Sequence, residues 1–174
     1  MPIDELVARL RQDGDHETYP AATGHDIAAT EQALSRPLPV SFRYFATEFS
    51  NGGYLFMLQE VSATGAGNRQ IGAIQDVIAY AISASPTEDI ALENGGAVEA
   101  GALVPFSLDS NGNCWCFLTG ESVPDGEYPV AYFVADQKRL VGCLPGFEHW
   151  LRKLVDERDE VIRTMYNPEE LDLG

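Results

Sequence analysis

The stretch Arg36–Phe56, RPLPVSFRYFATEFSNGGYLF, limits the fold more than any other part of the chain. Pro37 and Pro39 must end whatever helix comes before them, and Pro39 suits the first turn of a new one. Phe42, Phe45 and Phe49 then recur at i, i+3 and i+7, with Ala46 beside them, which is the buried stripe of a short helix. Asn51-Gly52-Gly53 supplies residues that accept positive φ, so the helix can stop and the chain can turn at once. A strand leaving that turn is expected over Tyr54–Val61.

The rest of the chain supplies helices on either side of a β-rich centre. Ile3, Leu6, Val7 and Leu10 share one face of a peripheral helix, and a polar loop follows from Gln12 to Thr18. Thr23-Gly24-His25-Asp26 has the form of a capping box, opening a helix through Ile27, Glu31 and Leu34 that Pro37 ends. Beyond the central stretch, Ser62–Asn68 reads as a flexible loop, Arg69–Ile74 as a second strand, and Asp76–Ser83 as a helix. Ser85–Asp89 reads as a turn into another short helix, and Asn94-Gly95-Gly96 as a loop.

From 102 to 144 the pattern is β. Strands are expected at Leu103–Leu108, Asn113–Leu118, Tyr128–Val134 and Leu140–Leu144, and Asp109-Ser110-Asn111-Gly112 makes a tight hairpin turn. After Pro145-Gly146, the residues Phe147, Trp150, Leu151, Leu154, Val161, Ile162 and Met165 repeat at helical steps until Asn167-Pro168. The expected architecture is α+β: a single domain over 1–174, with a central, mostly antiparallel sheet flanked by helices and closed by a C-terminal amphipathic helix. Residues 1–22 form a peripheral helix and loop, and 155–174 a helix extension with an acidic tail.

Length and composition agree with one domain. The 174 residues are 45% hydrophobic, enough for a core. No run approaches the roughly 18 apolar residues of a membrane span, and the acidic start lacks the apolar segment of a secretory signal. Three cysteines, Cys114, Cys116 and Cys143, form no disulfide framework, so a reducing compartment, the cytoplasm, is expected.

Charge narrows the partners. Eleven Lys and Arg against 27 Asp and Glu leave a net charge of −16. Between Arg69 and Lys138 there is no Lys or Arg, while ten acidic residues fall there, Asp109, Glu121, Asp125, Glu127 and Asp136 among them. Such a surface repels a phosphate backbone, which argues against direct nucleic-acid binding, and it attracts a basic protein.

No catalytic or metal-binding motif stands out. Ser62–Asn68 contains glycines but lacks Gly-Lys-Ser/Thr and the G-x-G-x-x-G spacing, so phosphate-loop readings fail. Cys114 and Cys116 share one face of a strand, unlike a zinc knuckle, and His16, His25 and His149 have no ligand spacing. Asp109, Asn111 and Asn113 echo the start of a calcium loop, but Gly112 comes one place early and Gly120 stands where the bidentate Glu belongs. No G-x-S-x-G or other recognisable nucleophile setting is present. A non-enzymatic role with no cofactor and no metal is expected.

Three ordered pieces carry a family resemblance. Ile27, Glu31 and Leu34 lead into LPVSFRYFATEFSNGG; Leu103-Val104-Pro105-Phe106 is followed by Asp109, Gly112 and Cys116; and Pro129–Phe133 is followed by Phe147-Glu148-His149-Trp150-Leu151. From about 24 to 155 the chain resembles the SUKH superfamily, bacterial immunity proteins related to the fungal Smi/Knr regulators of cell-wall synthesis. The resemblance implies that Leu38, Phe42, Phe45, Gly52, Gly53 and Trp150 are structural. It also implies a protein that binds and neutralises a cognate toxin domain; an intracellular scaffold or regulator of the Smi/Knr type is the alternative. Taken with the acidic interval, the toxin is expected to be basic, a nuclease for example, and Asp109, Glu121, Asp125, Glu127 and Asp136 are the expected contact residues.

Overall fold

The computed structural model describes residues 2–120 and 125–158. Among these, five helices and nine strands form one α+β unit. Helix α1 (Ile3–Asp13) buries Leu6, Val7 and Leu10 and ends at Gly14, whose φ of 66° is the left-handed cap a glycine adopts freely. Helix α2 (Gly24–Leu34) starts with the anticipated box: the Thr23 side chain accepts from the Asp26 N–H, and the Asp26 carboxylate accepts from the Thr23 N–H. Helix α3 (Val40–Glu48) follows Pro39 and buries Ser41, Phe42, Phe45 and Ala46.

The chain then enters a three-stranded antiparallel sheet in the order β1 (Glu17–Thr18), β2 (Gly53–Leu55), β3 (Gln59–Val61). The glycine pair after Asn51 has a steric cause: a Cβ on Gly53, at φ 153°, would lie 2.5 Å from the Glu17 carbonyl oxygen on the neighbouring strand. Asn51 closes the turn from the side, its Oδ1 accepting from the Thr64 N–H at 2.7 Å and from the Thr64 hydroxyl at 2.9 Å.

Tyr54–Val61 is therefore two strands, not one. Phe56 and Met57 both take positive φ, 52° and 58°, and the Leu58 N–H donates to the Leu55 carbonyl at 3.1 Å. This is a tight hairpin turn of the mirror-image type that normally calls for Asn-Gly. No residue there announces a turn, so the apolar run reads as continuous strand. The turn is held from outside: His16 Nδ1 accepts from the Phe56 N–H at 2.8 Å, and the His16 ring lies edge-on between Phe49 and Phe56.

A six-stranded mixed sheet follows in the order β5-β4-β9-β8-β7-β6. Strands β6 (Leu103–Leu108), β7 (Cys114–Leu118), β8 (Val130–Val134) and β9 (Arg139–Leu144) form the expected meander. Two other expectations are corrected, and the loop at Asn94-Gly95-Gly96 is given its form. Residues 69–74 are not a strand; only a bridge between Ala63 and Ala73 forms there before α4 (Ile74–Ala81). The turn at 85–88 leads into β4 (Asp89–Leu92) rather than a helix, because Ile90 is claimed by the core. Asn94-Gly95-Gly96 is the turn of a hairpin joining β4 to β5 (Ala97–Glu99), and β4 also pairs in parallel with β9.

The larger sheet has to curl. Its two edge strands, β5 and β6, are joined only by the 3-10 turn Ala100–Ala102. That connection reaches about 14 Å at most, whereas six flat strands would hold the edges about 24 Å apart. Curling buries both faces of the meander. One face carries Phe106, Trp115, Phe117, Val130 and Tyr132 against α1, α3 and the closing helix α5 (Phe147–Asp156); the other carries Leu103, Cys114, Cys116, Phe133 and Leu140 beneath Ile82, Ile90 and Ala100. Helix α5 buries Phe147, Trp150, Leu151 and Leu154. The expected continuation through Val161, Ile162 and Met165 lies outside the described residues. No described helix is long and apolar enough to cross a membrane.

The β2–β3 turn makes a stability prediction. A left-handed non-glycine residue costs about 1–2 kcal/mol, partly offset in a Met57→Gly change by about 0.5–1 kcal/mol of extra unfolded-chain freedom. Urea unfolding should show Met57→Gly more stable than the parent by about 0.5 kcal/mol.

Candidate protein interface

The meander separates the five carboxylates singled out from the sequence. Asp109 stands in the β6–β7 turn and Asp136 in the β8–β9 turn, at one end of the sheet. Asp125 and Glu127 lie in the β7–β8 loop at the other end, roughly 16 Å away across the five residues of β7. Glu121 is outside the described residues.

Within each end one acid is bound internally and the other is open. The Asp109 carboxylate accepts from the Asn111 N–H at 2.8 Å, from the Asn113 N–H at 3.1 Å and from the Tyr132 hydroxyl. Burial, and then this carboxylate, push the Tyr132 hydroxyl far above its ordinary range. Asn113 links the two turns, its Oδ1 accepting from the Ala135 N–H at 2.9 Å. Asp136 is exposed and has no hydrogen-bond or ion-pair partner among the described residues.

At the far end, Glu127 does what the sequence of α3 cannot do for itself. Pro39 sits at the N-cap of that helix and has no side chain able to accept from its first N–H groups. Glu127 reaches across instead, accepting from the Ser41 N–H and the Ser41 hydroxyl, each at 2.7 Å. The same loop receives the Val40 N–H on the Gly126 carbonyl at 3.2 Å, and the Tyr128 hydroxyl donates to the Pro37 carbonyl at 3.1 Å. Asp125, beside them, is exposed. Sequence separation hid the role of Glu127; the visible clue was a helix opened by proline with no Ser, Thr, Asp or Asn at its cap.

A second surface escaped the sequence reading because its residues are scattered. On the outward face of the small sheet, Glu17 stands opposite Tyr54, and Tyr54 opposite Glu60. The Tyr19 hydroxyl donates to Glu17 Oε1 at 2.8 Å, and the Tyr54 hydroxyl donates to Glu60 Oε1 at 3.2 Å. Tyr80, on the last turn of α4, is 68% exposed, and the Glu60 charge helps to hold its hydroxyl above the ordinary value, after burial. Burial also raises the Glu60 carboxyl above its usual range, with the Tyr54 hydrogen bond opposing it. Neither Glu17 nor Glu60 has an ion-pair partner among the described residues.

The remaining chemistry is structural in character. The glycine loop after β3 is clamped, not open to a phosphate: the Gly65 N–H donates to Thr30 Oγ1 at 2.8 Å and its carbonyl accepts from Gln75 Nε2 at 2.7 Å. Cys114 and Cys116 are buried free thiols with sulfurs 3.5 Å apart, and burial lifts the Cys116 thiol well above its ordinary value, which suppresses the reactive thiolate. No group of three or more His, Cys, Asp or Glu among the described residues is placed to hold a metal ion.

The described surface thus presents tyrosines, a residue type enriched at protein interfaces, beside carboxylates without ion-pair partners among the described residues. Comparison with protein families agrees: the profile of the SMI1 / KNR4 family (SUKH-1) matches residues 21–153, and the chain belongs to that family. At the family level this makes it an immunity-type or Smi/Knr-like protein. A comparison with curated proteins returns no match.

Two predictions follow from the internal bonds. Glu127→Ala removes the acceptor at the α3 N-terminus and leaves buried Ser41 without a partner, so it should cost about 1–3 kcal/mol in denaturant unfolding, with Glu127→Gln costing less. Glu60 has the opposite sign: because its folded carboxyl titrates above the unfolded one, the folded state holds the proton longer, and stability falls as pH rises through that window. Glu60→Gln should therefore be more stable than the parent at pH 7, and the difference should shrink below about pH 4, near the unfolded carboxyl value.

Proposed function

We propose that this chain is an immunity-type protein that binds a basic cognate toxin domain and neutralises it by covering its active site. The observation that carries the proposal is the interval between Arg69 and Lys138, which holds ten acidic residues and no Lys or Arg. That interval includes three strands of the meander and the turns at both of its ends, so its field extends over a broad surface. Such a field steers a cationic partner into encounter and disfavours nucleic acid.

A nuclease domain is a fitting target, because its cleft is built to receive phosphates and carboxylates can occupy their places. The contact set comprises Asp109, Glu121, Asp125, Glu127 and Asp136. Within it, Asp125 and Asp136 can form new ion pairs without giving up an internal bond. The compartment implied is the cytoplasm.

Affinity capture from the native lysate at low salt, with proteins identified as salt is raised, tests the reading. A single basic protein eluting in stoichiometric amount supports it; a large assembly instead supports a scaffold or regulator of the Smi/Knr type. With the captured protein in hand, Asp125→Lys combined with Asp136→Lys should slow association about tenfold at low ionic strength and leave the unfolding midpoint unchanged. Association rates equal to the parent's would remove those two residues from the interface.

A further inference from the structure

We propose that the outer face and turn of the three-stranded sheet are the docking surface for an arginine-bearing segment of a protein partner. This rests on the reading that the chain binds a basic protein, and it adds where the partner sits and through which groups.

The face is built for a guanidinium. Glu17, Tyr54 and Glu60 lie in one cross-strand row, so two carboxylates flank a tyrosine ring across about 10 Å. Each carboxylate has one oxygen tied to a tyrosine hydroxyl, Glu17 to Tyr19 and Glu60 to Tyr54. Those bonds fix the carboxylates in place and leave the second oxygen of each to accept from a cation. Rigid groups of this kind bind without first losing side-chain freedom.

Among the described residues no cation pairs with the carboxylates of this row. Glu60 is half-buried with no ion-pair partner among the described residues, and Asp76 and Glu60 both add negative potential at Tyr80. An incoming arginine would stack on a tyrosine face and donate to a flanking carboxylate at the same time, a combination lysine cannot match.

The turn at the end of the same hairpin supplies the apolar part. Met57 and Leu58 are 58% and 46% exposed, beside a backbone held at positive φ on two successive non-glycine residues. Strain of this sort clusters at functional sites, and here it begins two residues beyond Tyr54 on the same hairpin. Tyrosine and methionine are residue types enriched at interface centres, and the carboxylates would belong to the polar surround.

The surface is tested without any toxin. The isotope-labelled full chain is titrated with an alternating arginine–glycine peptide and with its lysine–glycine counterpart, and binding is followed by amide shifts. Shifts should cluster at residues 17–19, 53–60 and 76–80, with the arginine peptide bound about fivefold more tightly than the lysine one. Tyr54→Leu and Tyr80→Ala should abolish that preference; Tyr80 is exposed enough that its loss leaves the fold intact. Glu60→Lys should weaken binding about tenfold, and Glu99→Lys, the same charge step on edge strand β5, less than twofold. Glu60→Gln, which keeps the shape of the side chain, should weaken it by a smaller factor than Glu60→Lys.

Shifts spread along the acidic interval, equal losses from Glu60→Lys and Glu99→Lys, or no preference for arginine would each overturn the proposal. Because the probe is a peptide, a lysate that yields no toxin bears on the immunity reading and leaves this result standing. A captured toxin that binds Glu60→Lys as tightly as the parent overturns the docking surface and leaves the immunity reading standing.

Discussion

The fold depends on one aromatic side chain, Phe42, seated between the meander and the closing helix. Its ring lies 5.4 Å from that of Phe117, 5.2 Å from Phe147 and 6.5 Å from Phe106, and all three contacts are edge-to-face. Phe106 and Phe117 stack at 4.4 Å, and Phe106 meets Trp150 edge-on at 5.1 Å. One side chain of α3 thus joins two adjacent strands to the closing helix. Each such pair contributes about 0.5–1.5 kcal/mol beyond the area it buries, so the cluster is worth several times the mean contact. The geometry requires α3 to approach at a fixed angle, and two flanking devices set that angle. Glu127 accepts at its N-terminus, and Asn51-Gly52-Gly53 turns the chain away just past its C-terminus.

Those two devices also decide what is left for binding. Because Glu127 is spent on Ser41 and Asp109 on its own turn and Tyr132, much of the acidity visible in the sequence is structural at the level of single residues. The charge still acts at a distance, since a carboxylate that accepts hydrogen bonds keeps its charge. On the proposed reading, steering and contact would therefore separate: the whole acidic interval would draw a cationic partner in, while carboxylates with an open oxygen would form new short bonds without giving up an internal one. Asp125, Asp136, Glu17 and Glu60 are of the second kind.

Much of the architecture was legible in the sequence, because it is written in local signals. Proline stops, the Thr23–Asp26 box, the aromatic stripe of α3 and the meander from 103 to 144 each arise from neighbours in the chain. The misses share one cause, which is that long-range packing overrode local appearance. Phe56-Met57 turns because His16 accepts its N–H and packs between Phe49 and Phe56, and nothing between 54 and 61 reports that. Asp89–Leu92 is a strand because β9 offers a parallel edge and Ile90 enters the core. At the candidate interface the same rule holds. Acidity could be counted residue by residue, but the row Glu17–Tyr54–Glu60 exists only once β1, more than thirty positions away in the chain, is laid beside the β2–β3 hairpin.

The β2–β3 hairpin carries a conflict that bears on function. Its turn would be less strained with glycine or asparagine, and its exposed side chains would be more soluble if polar, yet it holds Phe56, Met57 and Leu58. The Phe56 ring is accounted for by the His16 contact, whereas Met57 and Leu58 are exposed. Met57 is 58% exposed and holds a φ of 58° that glycine would adopt more freely, so the local backbone alone does not favour methionine there. On the following strand Glu60 is half-buried with no ion-pair partner among the described residues, a second arrangement that costs the free protein. Both costs fall on one hairpin, and the docking proposed above would relieve both, bringing a cation to Glu60 and an apolar surface to Met57.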